Sequence, residues 1–210
     1  MRHVPEKDTL ALFVPAFSEA LHDAQTVRAN YDANAWIYLP PRYGEFRFVL
    51  GTKGKNPLFC VGVNPSTAAP GALDPTLKSV ERTALRSGFD SFLMFNLYAQ
   101  RATDPDHMEK VFNPALHKSN VEAFSYFLSQ TAPPATVWAA WGTLIEKRGY
   151  LVPCARAFYE ASLPFGARWV TFGRRSKAGH PHHPLYLPSG EAPEDFDVCA
   201  YLDGLGSRTA

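Results

Sequence analysis

The stretch Phe59 to Thr76, FCVGVNPSTAAPGALDPT, narrows the possible folds more than any other part of the chain. Its apolar run stops at Asn64-Pro65, and a helix start is written at Asp74-Pro75. Phe59, Cys60, Val61 and Val63 read as a strand buried on both faces, the pattern of a parallel sheet covered by helices. A polar loop then sits at the strand's carboxyl end. In open α/β sheets that edge gathers ligand-binding loops beside helix N-termini, whose free N–H groups favour anions.

With 210 residues, 46% of them hydrophobic, the chain is expected to form one α/β domain over residues 1–202, followed by a flexible tail at 203–210. The formal net charge of +1 demands no nucleic acid, membrane surface or polyanion, although a local basic patch stays compatible with it. Cys60, Cys154 and Cys199 are odd in number, far apart and without C-x-x-C spacing, so they read as reduced core cysteines and not as a disulfide framework or structural zinc. The N-terminus lacks the pattern of a signal peptide and no apolar run approaches a membrane span, which places the expected location in the cytoplasm. No cofactor is expected.

In chain order, Leu10, Phe13, Phe17, Leu21 and Ala24 recur at helical spacing, with Pro15 in the first turn. Trp36–Leu39 and Tyr43–Leu50 read as strands. In the second, Phe46, Phe48 and Leu50 alternate with Arg47 and Val49, as on a half-buried strand. The turn 51–56, with Gly54 inside it, predicts a hairpin onto the strand Leu58–Val63 and hence an antiparallel edge on a parallel sheet, so that helix and hairpin occupy residues 8–58. Asp74-Pro75 predicts a helix carrying Leu77, Val80 and Ala84 and stopped by Gly88. Phe92–Tyr98 is the next strand, Asp104 caps a short helix, and Ser119 with Glu122 reads as a capping box opening another. A strand at Thr136–Trp141, a helix near Leu151–Ala161 and a strand at Arg168–Phe172 complete the alternation. It predicts a three-layer α/β/α fold with a mostly parallel central sheet.

Right-handed crossovers would bring Asn64–Thr67, Asn96–Asp104, Trp141-Gly142 and the loop Gly173–Pro184 to one edge. Each group also has a plain structural role. Asp74 caps a helix, Asn64 shapes a turn before proline, Arg101 pairs with Asp104, and Trp138 and Trp141 are core or rim aromatics. His180, His182 and His183 lack the helical spacing of zinc motifs and suit a solvated loop or a phosphate contact, with a metal-dependent hydrolase as the alternative and no metal expected. Arg101, Arg174, Arg175 and Lys177 carry the charge to hold phosphate.

The strings GVNPSTA, DPT, NLYAQRATDP, the WG after a strand and the closing HPLYL resemble a bacterial family of uncharacterised domains, over roughly residues 40–188. More remotely, their order is similar to that of the uracil-DNA glycosylase-like superfamily. There, a G-x-N-P-G-like motif follows the first core strand and a His-Pro stands late in the chain. That resemblance implies a uracil-DNA glycosylase-like fold and hydrolysis of an N-glycosidic bond in a nucleobase, nucleoside or nucleotide, with nucleic acid an open partner and a non-catalytic nucleotide-binding module the alternative. Carried over, Asn64 orients the attacking water and His183 stabilises the departing base, while a carboxylate such as Asp74 favours the cationic sugar. Pro65, Ser66, Thr67, Asn96, Arg101, Thr103, Trp141, Gly142, Lys177 and Tyr186 are the candidate ligand contacts. The chain departs from the superfamily in two places. Pro65 to Val80 contains no aromatic, so base stacking falls to Tyr98, Trp141 or Tyr186, and Ser66 stands where the motif has glycine.

Overall fold

A computed structural model describes residues 2–206. Its centre is a seven-stranded sheet: β1 (Trp36–Leu39), β2 (Val49–Thr52), β3 (Pro57–Gly62), β4 (Ser91–Asn96), β5 (Thr136–Ala139), β6 (Arg168–Phe172) and β7 (Pro193–Asp195), in the order β1-β2-β4-β3-β5-β6-β7. The four middle strands are mutually parallel, and β1, β2 and β7 add antiparallel edges. Every residue of β3 and β4 is buried, as strands covered on both faces require. Alternation along β3 divides the core. Leu58 and Cys60 join the cluster under α2 (Pro75–Arg86), while Phe59 and Val61 join the larger cluster. The latter packs against α1 (Phe17–Thr26), α3 (Pro114–Ser129), α4 (Leu151–Ser162) and α5 (Val198–Gly206). The α/β arrangement with a parallel centre to its sheet is as expected. No described helix is long and apolar enough to cross a membrane.

Several local expectations are corrected. The hairpin of β2 onto β3 does not form, because β3 has both edges occupied by β4 and β5. Instead β2 runs antiparallel to β4, with Gly51 opposite Leu93, and residues 53–56 carry the chain across the amino end of β4. Asp90 anchors that crossing by accepting from the backbone N–H of Asn56 at 2.9 Å and of Lys55 at 2.8 Å, bonds that hold its carboxyl below the usual carboxylate range. Arg47 does not face solvent, and its side chain is fully buried. Leu10 and Phe13 do not belong to the N-terminal helix. Helix α1 starts only at Phe17, where Glu19 accepts from the N–H of Ala16, and Phe13 is 81% exposed.

The capping box at Ser119 and Glu122 does not exist either. Helix α3 opens earlier, at Asn113-Pro114, where the Asn113 carboxamide accepts from Leu116 N–H at 3.1 Å, and the Ser119 hydroxyl inside the helix donates to the carbonyl of Pro15 at 3.0 Å. Residues 203–206, expected in a flexible tail, are the last turn of α5. Leu202 and Leu205 bury themselves in the larger core, and Arg156 pairs with Asp203 at 2.7 Å. The remainder of that tail, 207–210, lies outside the described residues. Cys60 and Cys154 are buried free thiols, whereas Cys199 is only half-buried.

At Gly51 a Cβ would overlap the carbonyl oxygen of Phe92 and lie 2.9 Å from the Leu93 Cα, both backbone groups that cannot yield. Gly51→Ala is therefore expected to lower the unfolding free energy in urea by about 2–3 kcal/mol. A loss under about 0.5 kcal/mol would contradict the close approach of β2 to β4.

Candidate functional site

The site grows from the carboxyl ends of β3 and β4, whose pairing continues beyond the strands. Leu97 N–H donates to Gly62 O at 2.8 Å, Tyr98 N–H to Val63 O at 2.9 Å and Ala102 N–H to Pro65 O at 2.9 Å. The two loops therefore leave the sheet together. Asn64 ties them, its Nδ2 donating to Ala102 O at 2.8 Å and to Pro65 O at 3.2 Å. Both amide hydrogens are thus engaged, and Oδ1 is the atom left to accept from a water or a ligand. Ser66 bonds the Thr103 hydroxyl at 3.1 Å, and Thr103 also accepts from His3 N–H at 2.8 Å. Ser66, Thr67 and Thr103 are half-buried beside it.

Arg101 does not pair with Asp104, whose carboxylate caps residues 105–107 by accepting from Asp106 N–H at 2.9 Å. The fully buried guanidinium of Arg101 turns under the loop that follows β3, donating to the carbonyls of Ser66 and Ala68 and to the Tyr38 hydroxyl at 2.9 Å. Tyr43 lies over it, 4.2 Å from ring centroid to guanidinium carbon. Arg47 enters from the adjacent segment and donates to the same Ala68 carbonyl at 3.2 Å. Burial, and then the neighbouring Arg101 charge, push Arg47 down to about 9, so it remains a cation at neutral pH. Arg47, Tyr38 and Tyr43 are site residues that sequence reasoning missed. A lone arginine inside the apolar string FRFVLG was the available signal.

Asn96 ends β4 opposite Gly62, on the α2 face of the sheet with Phe92 and Met94. A Cβ at Gly62 would come within 2.7 Å of Met94 Cε and 3.0 Å of Asn96 Oδ1, so glycine makes the room that the carboxamide occupies. Asn96 is 1% exposed, and neither its Nδ2 nor its Oδ1 makes a hydrogen bond within the protein. The same holds for Arg47 Nε and Nη2, Arg101 Nε and the Trp138 indole N–H. Trp138 shares the α2-side core with Met94, and Arg47 and Arg101 both reach Ala68 of that core, so these unpaired atoms lie on one side of the sheet and are together called the polar seam.

Asp74 caps α2, accepting from Leu77 N–H at 2.9 Å, and its charge acts on both Arg47 and His183. The histidine loop thus approaches the same loop. Gly142, at φ 62°, permits the contact from the β5 side, since a Cβ there would sit 3.3 Å from His183 Cβ. Leu185 N–H donates to His183 Nδ1 at 3.3 Å, so the neutral ring carries its proton on Nε2. Burial, with His182 adding to the shift and Asp74 opposing it, pushes His183 below its ordinary 6.5. The other imidazoles have separate partners. His182 contacts the carbonyls of Arg174 and Tyr186, and buried His180 reaches the Tyr201 hydroxyl at 2.8 Å and Glu146 at 3.5 Å.

The remaining candidates divide. Trp141 belongs to the opposite core, packed on Trp169 and Phe196 with its N–H donated to the Tyr201 hydroxyl, and only Gly142 of that pair reaches the site edge. Tyr98 is equally buried on that side, its hydroxyl donating to Glu109. Neither can stack on a ligand at the seam. Lys177 is exposed in the loop after β6, and Tyr186, 73% exposed, stands 6.1 Å from the His183 ring. Among the described residues, no three of His, Cys, Asp and Glu are grouped as a metal ion would need. A cavity of about 740 Å³ beside Phe13 borders the site through Tyr43, and one of about 230 Å³ beside Arg86 and Ser189 lies away from it.

The model of the family described as "Protein of unknown function (DUF1643)" matches residues 47–185, from Arg47 of the seam to Leu185 after the histidine loop. The chain belongs to this family. No curated protein and no solved structure matches it. The family match spans β2 to the histidine loop, and therefore every candidate residue but Tyr38, Tyr43 and Tyr186.

The tautomer of His183 is directly measurable. Nitrogen-15 spectra at pH 7 are expected to report a neutral Nε2–H ring, with a titration midpoint below 6.5. A midpoint at or above 6.5 would contradict this burial. Because the folded value lies below the unfolded one, this residue's contribution to stability is present above pH 6.5 and declines as pH falls below it.

Proposed function

We propose that the chain is a hydrolase of a nucleobase, nucleoside or nucleotide, cleaving an N-glycosidic bond in a uracil-DNA glycosylase-like fold. The observation that carries this reading is the Asn96 carboxamide, buried at the carboxyl end of β4 with donor and acceptor both unpaired. Leaving such a group unpaired costs about 1–3 kcal/mol, and a ligand edge offering one acceptor and one donor side by side, as nucleobases do, removes that cost.

The surrounding groups suit the two charges of the reaction. The bond from the sugar's anomeric carbon to the base nitrogen breaks as negative charge builds on the base. The Nε2–H of neutral His183 donates to that charge, and the Asp74 carboxylate favours the cationic sugar. Asn64 Oδ1 accepts from the water whose oxygen forms the new bond, and the water's proton passes to the departing base or to solvent. Asp74 is also engaged as a helix cap, which favours a second reading in which the pocket binds a nucleotide without turnover. Nucleic acid remains a proposed source of the ligand, with exposed Arg174, Arg175 and Lys177 near the histidine loop.

Base release from a panel of nucleosides, nucleotides and oligonucleotides, followed by chromatography, tests the reading. Asn64→Ala and His183→Ala are each expected to slow release by about 10²-fold or more, and Asn96→Ala to remove the thermal stabilisation given by the base. Stabilisation without release in the wild-type protein would leave the binding module. No response to any base or nucleotide would overturn both.

A further inference from the structure

Two guanidinium cations lie side by side within the fold, and nothing in the proposed hydrolysis uses them. Arg47 and Arg101 are both 0% exposed, and among the described residues neither has a carboxylate in ion-pair range. They share one carbonyl, that of Ala68, and their remaining protein partners are the Ser66 carbonyl and the Tyr38 hydroxyl. Three donor atoms, Arg47 Nε and Nη2 and Arg101 Nε, are unpaired. A buried charge without a counter-charge is expensive, and two of like sign repel as well. No side chain of the described residues neutralises the pair at close range, and Asp74, the carboxylate whose charge acts on Arg47, is already capping α2.

We propose that Arg47, Arg101 and the Tyr38 hydroxyl form a cradle for a phosphate group, which displaces the 66–72 loop whose carbonyls now occupy part of it. Planar forks present paired N–H donors to phosphate oxygens, and two of them match a phosphate dianion in charge. The cover has little apolar anchoring. Ser66-Thr67-Ala68-Ala69-Pro70-Gly71-Ala72 carries only small side chains, Ala68 is its one fully buried apolar residue, and the bonds internal to it join Ala69 and Ala72. Tyr43, 48% exposed, forms the other wall. The cradle rests on the preceding reading only for the ligand's base, since Arg101 lies five residues beyond Asn96 on the same loop. The phosphate belongs to a free nucleotide or to a nucleic-acid backbone, and the chemistry is shared.

The test compares inorganic phosphate, a nucleoside, its 5′-monophosphate and a short single-stranded oligonucleotide as ligands of the wild-type protein and of Arg47→Met. Binding is followed by calorimetry and by hydrogen exchange over residues 66–72. Phosphate alone is expected to bind wild type and raise exchange in 66–72. The monophosphate should bind at least about 10-fold more tightly than the nucleoside, and Arg47→Met should abolish that ratio. Oligonucleotide binding without monophosphate binding would assign the phosphate to a nucleic acid. Phosphate binding without any base preference keeps the cradle and removes the nucleobase reading. Equal affinity for nucleoside and monophosphate in wild type, with no phosphate response, overturns the cradle. A phosphate response unchanged in Arg47→Met does the same. If Arg47→Met does not fold, the wild-type ratio and the exchange at 66–72 decide.

Discussion

Burying a charged group costs several kcal/mol even after the protein relaxes around it, and this fold buries two guanidinium groups and, on the same side of the sheet, an unpaired carboxamide. The surroundings of Arg47 and Arg101 follow from that cost. The Ser66 and Ala68 carbonyls turn inward to meet them, Tyr38 orients its hydroxyl to Arg101, and Tyr43 lays its ring over the same cation. The 66–72 part of the β3–α2 loop is thereby held by polar contacts to charge, since of its small side chains only Ala68 is fully buried among apolar groups.

The sheet makes this possible through its order. With β4 and β5 on either side of β3, the loop after β3 emerges at the centre of the carboxyl edge, and the ladder to residues 97–102 continues past the strands. Asn64, Asn96 and Arg101 are thus carried by a continuous hydrogen-bonded frame. The histidine loop arrives from β6 across Gly142, where the absence of a side chain lets His183 approach. The connections after β3, β4 and β6 thus meet at one edge of the sheet.

Much of this was legible in the sequence. The FCVGV run is a strand buried on both faces, Asp74 caps α2, and the Arg168–Phe172 strand has the expected bounds, because in each case local chemistry agrees with the tertiary setting. What escaped was set by pairing at long range. Nothing local in the turn 51–56 says that β4 will come between β2 and β3, so a hairpin was the natural reading. Arg47 looked like the polar half of an alternation because its burial depends on Arg101 and Ala68, far along the chain. Trp141 fits a core or a rim aromatic equally in the sequence, and the structure makes it core, its indole packed on Phe196 just after β7 and on Tyr201 of α5, a segment without a recognised signal. Asn113-Pro114 repeats the logic of Asp74-Pro75 and is a stronger helix start than the Ser119 and Glu122 pattern inside α3.

The central claim is that the seam from Arg47 to Asn96 is a ligand site and not a strained piece of core. A crystal structure grown with a nucleoside monophosphate tests it most directly. The base is expected to pair with the Asn96 carboxamide, the phosphate to lie between the Arg47 and Arg101 guanidiniums, and the Ser66 and Ala68 carbonyls of the 66–72 loop to leave those two arginines. A closed loop with the ligand elsewhere, and ordered waters pairing Asn96 and the free guanidinium N–H groups, would contradict it.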